Sequence, residues 1–159
     1  MNLPEFVTAQ NHYHLLKRAV EKEIIPLCRK NSLSLLVYGA LARGILSDKY
    51  FTHIPKSSRG ASSTNISCDL TPLVVETVRK LAAFSKKQNR PVIALALHWV
   101  LRFPEITSVL VGTRNTKQLT RLIDSMSWNL SQKDYDEVDC LIGDLNAFSP
   151  IHLGNYIPV

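Results

Sequence analysis

The sequence predicts an α/β fold built on a parallel sheet, and three observations carry that reading. Three short β-leaning runs, residues 5–10, 32–38 and 107–111, alternate with longer segments of helical composition. Apolar residues make up 45% of the chain, enough to fill a core and to argue against disorder. A glycine follows each of the two later runs at once, Gly39 after Tyr38 and Gly112 after Val111, as at a turn from strand into helix.

Each element has its own local justification. Residues 5–10 (EFVTAQ) are a short β-leaning run that ends on a polar residue. Residues 15–31 have helical composition, with Leu16, Val20, Glu23 and Leu27 near one face. Pro26 interrupts them and predicts a kink or two abutting helices. Residues 32–38 (SLSLLVY) read as a buried strand. Residues 39–70 are the least regular part, and their Ser- and Gly-rich middle predicts a surface loop. Loops of that length inside a domain are often functional.

Residues 71–88 form an amphipathic helix pattern. Thr71 is placed to cap it, Pro72 suits its first position, and Val74, Val78, Leu81 and Ser85 fall on one face. Residues 91–103 are apolar almost all round, which predicts a buried helix. Residues 107–111 are the third strand. Asn115 or Thr116 opens the next helix, with Gln118 placed to help cap its first turn. Ser131 opens the last, with Asp134 three residues on; the tail after Asp144 lacks periodicity.

The chain has 159 residues, which suits one domain or part of a larger one. Nineteen Lys and Arg stand against 13 Asp and Glu, a net charge of +6. Such a surplus could serve nucleic acid, an acidic membrane or a phosphorylated small ligand; the cations are dispersed and aromatic interleaving is sparse, which argues against nucleic acid. Cys28, Cys68 and Cys140 are odd in number and widely spaced, which fits neither a disulfide framework nor a structural zinc site. With no signal-like N-terminus and no long apolar run, the reading is a soluble cytoplasmic protein with no membrane partner.

The junction SVLVGTRNTKQL (residues 108–119) is the sharpest feature. Glycine lets a backbone approach a ligand, and the free N–H groups of the following helical turn favour an anion. Arg114 adds a planar, permanently charged fork suited to phosphate. A glycine-containing turn with a solvated arginine satisfies the same spacing.

Taken with VYGALARGILSDKY (residues 37–50), this junction resembles the last part of an aldo-keto reductase, closest to the branch of potassium-channel β subunits and related bacterial oxidoreductases. Gln10, Tyr13 and Arg18 resemble that family's Gln-x-x-Tyr-Asn-x-x-x-Arg segment, and residues 93–115 the helix and final strand before its adenosine-phosphate site. The resemblance implies a partial (β/α)8 TIM barrel, with strands six to eight and their helices. Residues 1–159 are then the C-terminal, cofactor-binding part of an NADP(H)-dependent oxidoreductase, incomplete as a domain. Phosphate sites in such barrels use the loops after strands seven and eight.

Residue roles follow from the resemblance alone. Gln10 would hydrogen-bond the nicotinamide carboxamide, and Tyr38 would stack on the nicotinamide ring. Gly39, Leu41, Ala42 and Arg43 would line the pyrophosphate. Lys49 and Arg59 would supply cations to the phosphates. Gly112 and Arg114 would hold the adenosine ribose and its 2′-phosphate, with Gln118 by the adenine end. The chain departs from the pattern at Gly39 and Ala40, where Ser-Pro is usual, at Arg121 and Leu122, where many members have Glu-Asn, and at Ser57, which replaces a Tyr.

The family's Tyr general acid and its Lys, Asp and His partners come from the first half of the barrel. No position here corresponds to them, so the catalytic set is expected to be absent and the chain inactive alone. Three parallel strands cannot close a barrel that takes about 250 residues. The expected partner is an N-terminal half-barrel or a second copy, with a small carbonyl substrate in the parent family; a non-catalytic remnant or regulatory half-barrel is the alternative. His12 and His14, two apart, could both face one side and bind metal, but a rim pair is the simpler reading. His98 reads as a satisfied core histidine and Trp99 as core packing. Cys28 and Cys140 read as buried thiols, and Glu21, Glu23, Asp134 and Asp139 as parts of solvated helix faces.

Overall fold

Three five-residue strands form one parallel sheet in the order β1 (Thr8–His12), β2 (Ser34–Tyr38), β3 (Ile106–Leu110). They are seen in a computed structural model that describes residues 4–47, 50, 66 and 69–143. Gln10 lies opposite Leu36 and His12 opposite Tyr38; across the sheet, Tyr38 lies opposite Leu110. The β2–β3 register slips between Leu35 and Leu36, so that Thr107 is an extra residue between their partners Ile106 and Ser108.

The first crossover holds a 3-10 turn (Ala19–Glu21) and α1 (Ile24–Lys30). Pro26 is the third residue of α1, where its missing N–H would have had no intrahelical acceptor. The helical pattern of residues 15–31 is therefore delivered in two pieces. The second crossover holds a 3-10 turn (Ala42–Gly44), α2 (Pro72–Lys87) and α3 (Val92–Val100). Thr71 caps α2, its hydroxyl accepting from Val74 N at 3.3 Å, and Val74, Val78, Leu81 and Ser85 are all buried. All nine residues of α3 are buried, as its unbroken apolar surface requires. After β3 come α4 (Thr116–Ser125), capped by Asn115, and α5 (Gln132–Ile142), opened by a reciprocal Ser131–Asp134 capping box.

Strand alternation separates the two faces of the sheet. Leu35 and Val37 are fully buried on the side covered by helices. The opposite side carries Gln10, Leu36, Tyr38, Ser108 and Leu110; Gln10 is exposed there, and Tyr38 and Leu110 each keep 44% of their surface open.

Beneath the sheet an ionic network encloses Trp99, which is fully buried. Its Nε1 donates to Asp139 Oδ1 at 3.1 Å, and Arg102 lies over the ring at 4.1 Å. Arg102 Nη1 donates to Asp139 Oδ2 at 2.7 Å, while Glu21 accepts from Tyr13 Oη at 2.7 Å and from Arg18 at 2.9 Å. Glu21 and Asp139 thus do not sit on purely solvated faces. They neutralise arginines held against the core, where an unpaired charge would be costly. Cys28 is a buried thiol, but Cys140 is exposed, because α5 packs through Val138 and Ile142 instead. His98 Nε2 donates to the Ser125 carbonyl at 3.1 Å, which satisfies it within the core.

Candidate functional site

The C-terminal ends of the three strands carry several of the sequence-predicted residues, with Gln10 and Tyr38 on one face of the sheet. Gln10 is two residues short of the end of β1, Tyr38 ends β2, and Gly112 is two residues past the end of β3. At about 3.3 Å per residue these form a diagonal line, each step roughly 6–7 Å further along the strand direction.

Gly39 turns the chain at the head of β2 with φ +74°, in the left-handed region that favours glycine. The imidazole of His12 fills the space where a side chain would begin: a Cβ on Gly39 would lie 2.5 Å from His12 Nε2. The same imidazole stacks on Tyr38, ring centres 5.1 Å apart and planes 12° from parallel. One face of Tyr38 is therefore covered by His12. His14, fully buried, meets the edge of His12 at 4.9 Å, and its Nδ1 accepts from Leu16 N at 3.2 Å.

Lys17 Nζ lies 3.3 Å from His12 Nδ1. An ammonium only donates, so Nδ1 accepts and the ring proton of neutral His12 sits on Nε2. Burial, together with the charges of Lys17 and Arg43, lowers the His12 pKa to about 4, and His14 is held well below the usual range, chiefly by burial. Both rings are neutral at pH 7.

Beyond Gly39 the chain makes a tight turn. Ala42 N donates to Gly39 O at 2.8 Å, and Gly44 N to Leu41 O at 2.8 Å. Ala42, Arg43 and Gly44 take φ values of 47°, 58° and 100°. Two non-glycine residues in this region cost about 1–2 kcal/mol each. Buried Ala42, Ile45 and Leu46 anchor the turn, while Arg43 stands exposed at its crest, 3.6 Å from Asp69. Leu41 is half-buried beside it.

At the β3–α4 junction nothing among the described residues lies within 4 Å of where a Gly112 Cβ would stand, which leaves the backbone open to approach on their side. Arg114 is exposed. Its N–H donates to Gln118 Oε1 at 2.9 Å, and Gln118 N donates to Asn115 Oδ1 at 2.9 Å. Gln118 thus does cap the turn, and only its amide NH2 is left to reach toward an adenine. Leu122 is buried, which explains why position 122 carries an apolar residue. Lys49 and Arg59 lie outside the described residues. Among the described residues no three His, Cys, Asp or Glu side chains are grouped to hold a metal ion.

His12 is the rim residue that sequence reasoning left without a role. Alternation along β1 offered a signal, since it puts Thr8, Gln10 and His12 on one face. Nothing local in the sequence announced the ring's contact with Tyr38 and Gly39.

The profile of the aldo/keto reductase family matches residues 1–142. The chain belongs to the aldo-keto reductase family, a family of oxidoreductases. It is 28% identical over 142 residues to the L-glyceraldehyde 3-phosphate reductase of Escherichia coli, covering 85% of this chain and 41% of that protein. It is 27% identical over 146 residues to the aldo-keto reductase YhdN of Bacillus subtilis, covering 85% and 42%. The solved glycerol dehydrogenase from Gluconobacter oxydans superposes with a TM-score of 0.70 at 26% identity, over 90% of this chain and 45% of that one. The chain thus spans about two fifths of the length of the curated relatives it matches.

The rim fits a nicotinamide dinucleotide on its own geometry. An aromatic ring with one face covered, a glycine with open space above it, and two exposed arginines at neighbouring strand ends suit a flat ring joined to phosphates.

Proposed function

We propose that this chain forms the NADP(H)-binding rim of an aldo-keto reductase barrel, its three strands standing as strands six, seven and eight. When bound, a reduced nicotinamide supplies hydride to a carbonyl carbon. Tyr38 offers its open face to that ring and Gln10 its amide. The turn from Gly39 to Arg43 faces the pyrophosphate, and Gly112 and Arg114 face the adenosine ribose and 2′-phosphate. The observation that carries this reading is the register, which gathers Gln10, Tyr38 and Leu110 on one open face, with Gly112 two residues past the end of β3. Lys49 and Arg59 belong to the same proposal.

The proton donor for the carbonyl comes from outside this chain. Tyr13 donates its hydroxyl to Glu21 at 2.7 Å, and burial pushes its pKa far up. Tyr135 donates to the His98 carbonyl at 3.3 Å. Neither can serve as a rim acid tuned near neutral pH. An NADH-specific methylglyoxal reductase of Escherichia coli is among the relatives, at 27% identity over 126 residues. The choice between the two nicotinamides therefore rests here on Arg114, which meets a 2′-phosphate that NADH lacks.

The open face supports the second part of the proposal, that complementary barrel strands or a second copy cover it. Tyr38 and Leu110 are half-open at the C-terminal end of that face, and Phe6, before the start of β1, is 87% exposed at the other end of the sheet. A non-catalytic, partner-binding half-barrel is the alternative that this face favours. Free Cys28 and Cys140 fit a reducing, cytoplasmic setting.

Titrating the full chain with NADPH and NADH by fluorescence, then adding an aldehyde, tests the proposal. Saturable binding, tighter for NADPH, without turnover is expected. Absence of binding at millimolar NADPH would favour the partner-binding alternative, and turnover by this chain would contradict the placement of the proton donor.

A further inference from the structure

We infer that His12 is a cofactor-binding residue of this rim, donating a hydrogen bond from Nε2 to a phosphate oxygen of the pyrophosphate in the place that the missing side chain of Gly39 leaves free. The inference rests on the dinucleotide reading above.

Position 39 heads the turn assigned to the pyrophosphate, and as glycine it has no side-chain donor of its own. The space where such a side chain would begin is taken by the His12 ring, with Nε2 2.5 Å from the site of a Cβ. A side chain on residue 39 and the His12 ring would therefore compete for the same space. Lys17 fixes the tautomer: its ammonium donates to Nδ1 at 3.3 Å, which leaves the proton on Nε2. The ring cannot swing away freely, because Tyr38 lies flat against it and His14 meets its edge. Among the described residues, the groups facing the imidazole are Lys17, Arg43, His14 and Tyr38, two cations and no carboxylate. Such a setting keeps the ring a neutral donor at pH 7 and draws an anion to it.

Two variants separate a donor from a mere packing ring. His12→Phe keeps a flat ring against Tyr38 and loses the N–H. His12→Gln keeps an N–H at nearly the same reach and loses the ring. With folding checked by circular dichroism, NADPH titration of the full chain should show His12→Phe weakened about tenfold, the loss of one charge-assisted hydrogen bond, and His12→Gln within about threefold of the parent chain. The reverse order, Phe tolerated and Gln weakened, would overturn the donor role and leave the cofactor site standing. If the parent chain itself binds no NADPH, the cofactor reading falls and the donor falls with it. Nitrogen-15 NMR of the imidazole gives an independent check without ligand: an Nε2-protonated neutral ring at pH 7 supports the inference, and an Nδ1-protonated ring refutes it.

Discussion

At the scale of single residues, the rim is governed by what surrounds its histidines. Burial lowers His12, His14 and His98, with Lys17 and Arg43 adding to the effect at His12 and His14. In the unfolded chain all three return to about 6.5. As pH falls through that value the unfolded state takes up protons first, so it gains at the expense of the folded state. The contribution to stability is whole above about pH 7.5, shrinks as pH drops through 6.5, and for His12 ceases to shrink only near 4, where the folded ring titrates. Urea midpoints measured at fixed ionic strength should decline steadily from pH 7.5 to pH 5. A midpoint that holds or rises over that interval would mean these rings are not held neutral by the fold. Of the two arginines of the rim, Arg114 could be picked out from sequence by its place after a glycine-containing strand end, and Arg43 only through the family resemblance. His12 could not, because its partners Tyr38 and Gly39 lie 26 and 27 positions away and meet it only through strand pairing.

At the scale of elements, signals written within a few residues of each other were legible. Thr71, Asn115 and Ser131 each cap the helix that follows, because capping needs only a short polar side chain and a free N–H two or three residues on. The capping box of α5 carries a testable consequence. Ser131→Ala removes the hydroxyl that accepts from Asp134 N at 3.3 Å and donates to its carboxylate at 2.6 Å, and should cost about 1 kcal/mol in urea denaturation. Because α5 also presents Asp139 to Trp99 and Arg102, an unchanged midpoint would show that tertiary contacts alone hold this helix. The first crossover was less legible. Composition and Pro26 suggest a kinked helix or two abutting ones, but not that Tyr13, Arg18 and Glu21 are committed to a network with Arg102, a residue 81 positions from Glu21. No local pattern encodes such a pairing, and it is what turns Glu21 inward.

At the scale of the whole molecule, a parallel sheet with helices on one face leaves its other face to a ligand or to more protein. Ligands of open α/β sheets gather beyond the carboxyl ends of the strands, and here those ends carry Gln10, Tyr38 with His12, the Gly39–Arg43 turn and the Gly112–Arg114 junction. The parallel sheet was legible from the alternation of strand and helix segments alone. The register was not, since the extra residue at Thr107 has no local mark, yet it decides which residues reach the rim together. The central claim is that these separate strand ends hold one dinucleotide. Amide NMR of the full chain during addition of NADPH tests it most directly. The account predicts saturating shifts that share one dissociation constant at Gln10, Tyr38, Gly39, Arg43, Gly112 and Arg114; shifts confined to a single strand end, or lying on the helix-covered face, would contradict it.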